Sequence, residues 1–128
     1  HKCKTNTDND YNAAIKYCLN NIIDIAICIA SHNENSCSVA MQCMLENGIH
    51  VQHANVSFAQ LYGMSNHISY NLAEAGYKVC KYVPYGPVEK VMPYLIRRAK
   101  ENTAVAGQTS RELALIQKEL MRRKSEKI

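Results

Sequence analysis

Short apolar runs alternate with helical segments along the chain, and this alternation limits the possible folds more than any other feature. Residues 24–30 are a nearly continuous apolar run, a pattern typical of a strand buried on both faces, as in parallel sheets. Residues 56–62 and 78–83 are two further predicted strands, which gives roughly one strand every 25 to 30 residues. Strands that alternate with helices favour a parallel sheet covered by helices.

Apolar residues at helical spacing fill the intervals between these runs. They predict helices at residues 11–20, 36–46 and about 67–75, and a fourth that starts at Pro87, where proline costs least. Thr109 and Glu112 form a capping-box pattern, which predicts a last, polar helix that ends at about residue 124. The predicted order is therefore α-β-α-β-α-β-α-α.

Three parallel strands are few for an independent domain, because both edges of such a sheet stay unpaired and apolar. A closed eight-stranded βα barrel takes about 250 residues. This chain has 128 residues and begins with His1 rather than Met, so we expect an amino-terminal region to precede it. We expect one partial α/β barrel domain over residues 1–128, with βα units at 10–105 and a terminal polar helix at 106–128.

Composition argues against several classes of protein. The longest apolar run, residues 22–30, is shorter than the about 20 apolar residues that a membrane-spanning helix needs. The net charge of +4 comes from cations late in the chain, but aromatic residues do not interleave with them, so no nucleic-acid partner is expected.

Six cysteines at irregular spacing predict a reducing compartment without a disulfide framework. His50 and His53 predict a surface loop pair rather than a metal site, since no matching motif accompanies them.

Functional side chains of parallel α/β proteins gather where the strands end. The three predicted strand ends are residues 31–33, 60–64 and 82–86, which are all polar or contain glycine. The third is followed by a helix with the adjacent pair Arg97 and Arg98. Because the guanidinium group pairs bidentately with carboxylates and phosphates, this segment predicts an anion site.

Five sequence blocks make the anion site more specific. They are residues 30–34 (ASHNE), 58–64 (FAQLYGM), 75–77 (AGY), 81–87 (KYVPYGP) and 93–102 (PYLIRRAKEN). In order and spacing they resemble successive blocks of proline dehydrogenase, from about Asp10 to Arg123. The chain resembles the carboxyl-terminal half of the catalytic barrel of the eukaryotic, mitochondrial type.

The resemblance implies an α/β fold that is the carboxyl-terminal part of a distorted (β/α)8 TIM-type barrel, with these strands as about the sixth to the eighth. It implies FAD as the cofactor and oxidation of L-proline to Δ1-pyrroline-5-carboxylate in proline catabolism. It also implies a quinone as electron acceptor, and a mitochondrial location at the inner membrane or on its matrix side. The earlier strands of the family carry a substrate-binding lysine and an acidic partner of the arginines, so the chain alone is expected to bind FAD weakly or not at all and not to turn over proline.

The residue roles that the resemblance implies fall on matching positions of this chain. The substrate positions, which wall the proline ring and hold its carboxylate, are Tyr82, Arg97 and Arg98. The cofactor positions are Ser31, His32, Asn33, Gln60, Gly63, Met64 and Glu101. Ser31 replaces the usual Thr of the family and keeps its hydroxyl, and Glu101 would orient the arginines or meet the cofactor.

Plainer interpretations stay open beside these roles. Without the resemblance, the arginine pair would be solvated surface, since projecting the helix puts Arg98 near the edge of an apolar stripe and Arg97 nearly opposite. Hydroxyproline dehydrogenase is the sister activity, and the bulk of Tyr82 argues against it because an added ring hydroxyl needs room and a polar partner. The third alternative is a non-catalytic α/β module that binds an anion or a partner through its basic last helix.

Overall fold

The computed structural model describes residues 1, 3–104 and 108–125, and its elements confirm the predicted order of helices and strands. In chain order they are α1 (Lys4–Asn20), β1 (Ile27–Ala30), α2 (Glu34–Glu46), β2 (Val56–Leu61), α3 (Asn66–Glu74), β3 (Val79–Tyr82), α4 (Val88–Ala104) and α5 (Gln108–Ser125). The chain forms two compact units, His1–Val83 and Pro84–Ile128.

The first unit is built on a parallel three-stranded sheet with β2 in the middle. Residues 27–30 of β1 pair with residues 56–59 of β2, and residues 58–61 of β2 pair with residues 79–82 of β3. Because the strands are parallel, their carboxyl ends meet at one edge of the sheet. The predicted parallel sheet is confirmed.

One face of the sheet, the helix face, packs against the helices of the first unit. It carries the alternate strand residues Ile27, Ile29, Val56, Phe58, Gln60, Val79 and Lys81. Phe58 is completely buried there and meets the ring of Tyr77 edge to face, with the two ring centroids 5.4 Å apart. The helices complete this core with Ile15, Leu19, Cys37, Ala40, Cys43, Met44, Ile68 and Leu72.

The other face, the open face, is exposed or half-buried. Its residues are Cys28, Ala30, Ser57, Ala59, Leu61, Cys80 and Tyr82. The prediction that residues 24–30 form a strand buried on both faces is therefore wrong, since Cys28 and Ala30 are exposed. The strand also begins later than predicted, at Ile27, because the N–H groups of Asp24 and Ile25 both bond to the Asn21 carbonyl in a turn.

Helix starts differ from the predictions where the local signal was polar or ambiguous. α1 begins at Lys4, well before residue 11, and the Lys4 ammonium lies 2.5 Å from the Asp8 carboxylate one turn later. Pro87 precedes α4 rather than starting it, and its carbonyl accepts the N–H groups of Lys90 and Val91. Thr109 and Glu112 belong to α5, which is described from Gln108, and their side chains lie outside the described part of the structure, so the capping box stays a prediction.

The second unit consists of α4 and α5. α4 continues through Pro93, although proline lacks the N–H that would bond one turn back. α5 exposes Leu113, Leu115, Ile116, Leu120 and Met121 and ends with Arg122, Arg123 and Lys124. In the described part of the chain, no helix combines the length and the apolar character needed to cross a membrane.

Candidate functional site

The three strand ends of the first unit meet at one edge, as the parallel register requires. Ser31 follows β1, Gly63 and Met64 follow β2, and Tyr82 is the last residue of β3. The Tyr62 N–H donates to the Tyr82 carbonyl at 2.8 Å, so the ladder between β2 and β3 continues to this point. The sheet therefore brings together the predicted site residues of all three strand ends.

The open face next to this edge is lined mainly by small side chains. Cys28 is in register with Ser57, Ala30 with Ala59, and Ala59 with Cys80. Only at the end of the sheet do large side chains stand side by side, where Leu61 is in register with Tyr82. Tyr82 is 54% exposed. Sequence reasoning missed Leu61, although its alternation with Ala59 along β2 would have put it on the same face as Tyr82.

Ser31 and Asn33 shape the turn between β1 and α2. The Ser31 hydroxyl accepts a hydrogen bond from the Asn33 N–H at 3.0 Å. Asn33 is the N-cap of α2, and its side-chain oxygen accepts the Asn35 N–H at 3.0 Å. Glu34 in the first turn of α2 lies 2.8 Å from His67 of α3, which connects the starts of the two helices. Both predicted cofactor residues thus also have a structural role.

His32 uses both ring nitrogens within the first unit. Its Nδ1 lies 2.8 Å from the Ser65 hydroxyl, and its Nε2 accepts a long hydrogen bond of 3.5 Å from the Leu61 N–H. Ser65 is 33 residues away in sequence and is 2% exposed. No local pattern in the sequence pointed to this partner.

Gln60 lies on the helix face, on the other side of the sheet from Tyr82, and is 2% exposed. Its side-chain nitrogen donates to the Ser31 carbonyl at 3.3 Å, and its oxygen accepts the Ser69 hydroxyl at 2.9 Å. That Gln60 lines a flavin stays a prediction, and the structure puts its side chain on the helix face. The reason is the strand period of two, which puts residues 58 and 60 on one face and residues 59 and 61 on the other.

Gly63 and Met64 form the turn that leaves β2. Gly63 has φ +80, a left-handed conformation that other residues adopt at a cost, although a Cβ there would have open space around it. The Met64 carbonyl accepts a hydrogen bond from the Lys81 ammonium at 2.7 Å. Lys81 on β3 thereby ties this turn to the strand that carries Tyr82.

Arg97 and Arg98 lie on α4 in the second unit. Arg97 is exposed and Arg98 is half-buried, in agreement with the helical projection of the sequence. The Arg98 guanidinium carbon lies 5.4 Å from the centre of the Tyr94 ring, one turn earlier, which is within the range of a cation–π contact. The i, i+4 spacing of Tyr94 and Arg98 was a visible signal for this contact in the sequence. Glu101 belongs to α4, but its side chain lies outside the described part of the structure.

Glu119 near the end of α5 pairs with two arginines of the same helix. The Glu119 carboxylate accepts hydrogen bonds from Arg122 and Arg123 at 2.7 to 2.8 Å, and these bonds lower its pKa to about 2. The Glu119 carboxylate therefore offsets part of the cluster of positive charge at this end of the helix.

His50 and His53 lie in turns, and the six cysteines form no disulfide. The Nδ1 atoms of His50 and His53 accept backbone N–H groups of Gln52 and Asn55, so both rings cap turns. Within residues 1, 3–104 and 108–125, no group of three metal-ligating side chains comes together. All six cysteines are free thiols, with Cys37 and Cys43 buried.

Comparison with known proteins decides the family. The family model for proline dehydrogenase matches residues 1–111. The chain belongs to the proline dehydrogenase family. It is 50% identical over 97 residues to human proline dehydrogenase 1, mitochondrial, a match that covers 76% of this chain and 16% of the human protein. It is also 50% identical over 95 residues to hydroxyproline dehydrogenase of Xenopus laevis, covering 74% of this chain and 20% of that protein.

The fold agrees with the family. A crystal structure of proline utilization A from Bdellovibrio bacteriovorus, inactivated by N-propargylglycine, matches with a TM-score of 0.76 at 32% identity. The match covers 83% of this chain and 11% of the proline utilization A chain. The predicted α/β fold, part of a TIM-type barrel, is confirmed. The chain spans only 16% to 31% of the length of its curated relatives.

Proposed function

We propose that this chain supplies the last strands of the active site of an FAD-dependent proline dehydrogenase, which oxidises L-proline to Δ1-pyrroline-5-carboxylate in proline catabolism. The observation that carries the proposal is the meeting of Ser31, Gly63, Met64 and Tyr82 at one sheet edge in a chain of this family. When bound, the flavin would supply the acceptor for the hydride that leaves the proline ring.

The open face has the shape that a planar ring system needs. Alanine, serine and cysteine side chains project only a short distance, so Ala30, Ser57, Ala59 and Cys80 would leave room for such a ring above the strands. A bulky residue at any of these positions would prevent close approach of a flat ligand. In our proposal Ser31, Asn33, Gly63 and Met64 border the cofactor at the strand ends.

Tyr82 and Leu61 would limit the space for the substrate ring. They are register neighbours at the end of the open face, and Leu61 adds an apolar wall to the one that Tyr82 provides. In the proposed enzyme, Arg97 and Arg98 hold the substrate carboxylate, and Tyr94 keeps the Arg98 guanidinium in place by stacking. Fixing the carboxylate orients the reacting carbon, which is the contribution of positioning to catalysis. Glu101, in the same helix, keeps its proposed role of orienting the arginines or meeting the cofactor.

Replacing either arginine with Met tests the substrate-binding role. In the complete gene product we expect R97M and R98M each to lower proline-dependent dye reduction about 100-fold, chiefly through KM, because each removes a charge-assisted hydrogen-bond partner of the carboxylate. R122M is the matched control, since Arg122 binds Glu119 near the end of α5. A complete gene product that reduces no dye with proline would contradict the proposed function, whereas unchanged KM in both variants would contradict the arginine roles alone.

Hydroxyproline dehydrogenase is the second candidate, because the Xenopus relative of that name is as similar to the chain as the human proline dehydrogenase. The bulk of Tyr82 favours proline. We expect Y82S in the complete gene product to shift the ratio of kcat/KM values toward hydroxyproline, by about tenfold for one hydrogen-bonded hydroxyl. An unmutated enzyme that prefers hydroxyproline would instead support the second candidate.

The surroundings of the enzyme are part of the same proposal. Relatives from human, cattle, Drosophila and Dictyostelium carry the word mitochondrial in their names, and we infer a mitochondrial location for this protein. A quinone as electron acceptor and contact with the inner membrane would follow from that activity. Fractionation of organelles, followed by quinone reduction with proline as the donor, tests both inferences.

A further inference from the structure

The turn after β1 replaces one rung of the sheet with side-chain hydrogen bonds. If β1 and β2 continued in their observed register, the Leu61 N–H would bond to the Ser31 carbonyl. Instead the Ser31 carbonyl accepts the Gln60 side-chain N–H at 3.3 Å, and the Leu61 N–H bonds to His32 Nε2 at 3.5 Å. Two side chains therefore satisfy both backbone groups of the missing rung, which lets the chain leave the sheet at Ser31.

These hydrogen bonds assign the tautomer of His32. Nε2 accepts the Leu61 N–H, so it carries no proton. A neutral imidazole with unprotonated Nε2 has its proton on Nδ1. The Nδ1–H group then donates to the Ser65 hydroxyl at 2.8 Å. Loss of that acceptor would remove the hydrogen bond that holds the Nδ1 side of the ring toward Ser65.

Ser65 departs from two ordinary preferences in making this contact. Its φ of 49 and ψ of 43 are left-handed, and in the described residues it is the only residue other than glycine with positive φ. Such a conformation is unfavourable for a residue with a Cβ. Ser65 is also the N-cap of α3, yet its hydroxyl makes no capping hydrogen bond. Glycine would adopt this backbone freely, so the hydroxyl toward His32 is what serine adds.

Ser69 connects Gln60 to the backbone of Ser65. Its hydroxyl lies 2.9 Å from the Gln60 oxygen, and its N–H donates to the Ser65 carbonyl at 3.2 Å. Ser65, Gln60 and Ser69 are 2 to 3% exposed, so this group of hydrogen bonds is shielded from water. A change at Ser65 would therefore be transmitted to Gln60 as well as to His32.

We propose that Ser65 is a positioning residue: its hydroxyl fixes the orientation of the His32 ring by accepting the Nδ1–H group, and His32 in turn holds the Ser31–Asn33 turn in the shape that receives the flavin. This inference rests on the proposed function, because it assumes a flavin at this sheet edge. Neither Ser65 nor Gln60 needs to touch the cofactor in this role. His32 itself acts here through its ring nitrogens on the protein.

The test compares Ser65→Gly and Ser65→Ala in the complete gene product with ¹⁵N-labelled histidine. Both variants remove the hydroxyl, but only S65G also relieves the left-handed backbone, so S65G keeps the test valid if S65A folds poorly. We expect both to shift the Nδ1–H proton signal of His32 upfield, because that group loses its hydrogen-bond acceptor; the signal is assigned from its absence in H32Q. We also expect the Kd of the apoprotein for FAD to rise about tenfold, the equivalent of one buried hydrogen bond.

Ser38→Ala is the matched control, because Ser38 is exposed in the middle of α2 and lies outside this group of hydrogen bonds. S38A should keep both the position of the His32 signal and the Kd for FAD. The proposal is overturned if the Ser65 variants keep the unshifted Nδ1–H signal, or if they shift it without any change in Kd. An unmutated complete protein that binds no FAD would overturn the proposed function and this inference together, and that result is distinguishable because it needs no variant.

Discussion

The two faces of the same sheet have opposite compositions, although each strand contributes alternately to both. The helix face carries Phe58, Ile29 and Val56, which are buried to at least 98%, together with the buried amide of Gln60. The open face carries mostly alanine, serine and cysteine until Leu61 and Tyr82 at its end. The buried core of the first unit therefore lies on the helix face, and the open face contributes little to it.

We expect the largest effect on stability when an aromatic ring is removed from the helix face. We expect Phe58→Ala to lower the free energy of unfolding by about 3–5 kcal/mol, because it leaves a cavity and removes the contact with Tyr77. Leu61→Ala on the open face is the matched comparison and should cost under about 1 kcal/mol, since Leu61 is only half-buried. Urea unfolding of the 128-residue chain measures both, and equal costs would contradict the division.

An opposite test adds bulk to the open face. We expect Ala59→Leu to leave the melting temperature of the complete gene product nearly unchanged and to raise its Kd for FAD at least about tenfold, because the added side chain blocks close approach of a planar ring. Titration of the apoprotein, followed by flavin fluorescence, gives this Kd. An A59L variant with normal FAD affinity would show that the flavin does not lie on this face.

A third test uses the buried thiol of Cys37, on the helix side of the sheet. Burial raises the pKa of Cys37, in the helix-side core, from 9.0 to about 11. Its contribution to stability is complete below pH 9 and is lost as the pH rises toward 11, because the unfolded thiol ionises first. Wild type should therefore lose up to about 2–3 kcal/mol more than Cys37→Ala over this interval. Equal losses in the two proteins would contradict the raised pKa.

Exposed cysteines give the smallest and simplest contrast. Cys28 and Cys80 lie on the open face and are exposed, whereas Cys37 and Cys43 are buried. In the 128-residue chain, iodoacetamide at pH 8 should modify Cys28 and Cys80 before the buried pair, because alkylation requires access of the reagent to the sulfur. Peptide mass spectrometry gives the order, and early modification of Cys37 would contradict it.

Much of the fold could be predicted from the sequence because its signals are local. Apolar runs and helical spacing predicted the order of the elements up to α4, and parallel pairing followed from their alternation. The exposure of Cys28 could not be predicted in this way, because an uninterrupted apolar run does not show what covers each face. The early start of α1 was missed because residues 4–10 are polar and have no apolar period.

The candidate site was only partly predictable, because its hydrogen bonds join residues that are distant in sequence. The residues at the strand ends could be named, since chain order and parallel topology bring them to one edge. Their hydrogen bonds could not be predicted, because His32 with Ser65 and Gln60 with Ser31 are contacts between residues 33 and 29 positions apart. The left-handed conformation of Ser65 was equally hidden, as serine rarely adopts it.

The register of β2 against its neighbours has a consequence for folding fidelity. Because the side-chain period of a strand is two, a slip by one residue would turn Phe58 and Gln60 toward the open face and Ala59 and Leu61 toward the helices. Such a slip would remove Phe58 from the core and put larger side chains on the open face in the same step. A misregistered chain would therefore be unstable as well as altered on its open face, so selection for a stable core also protects the composition of the open face from errors in folding.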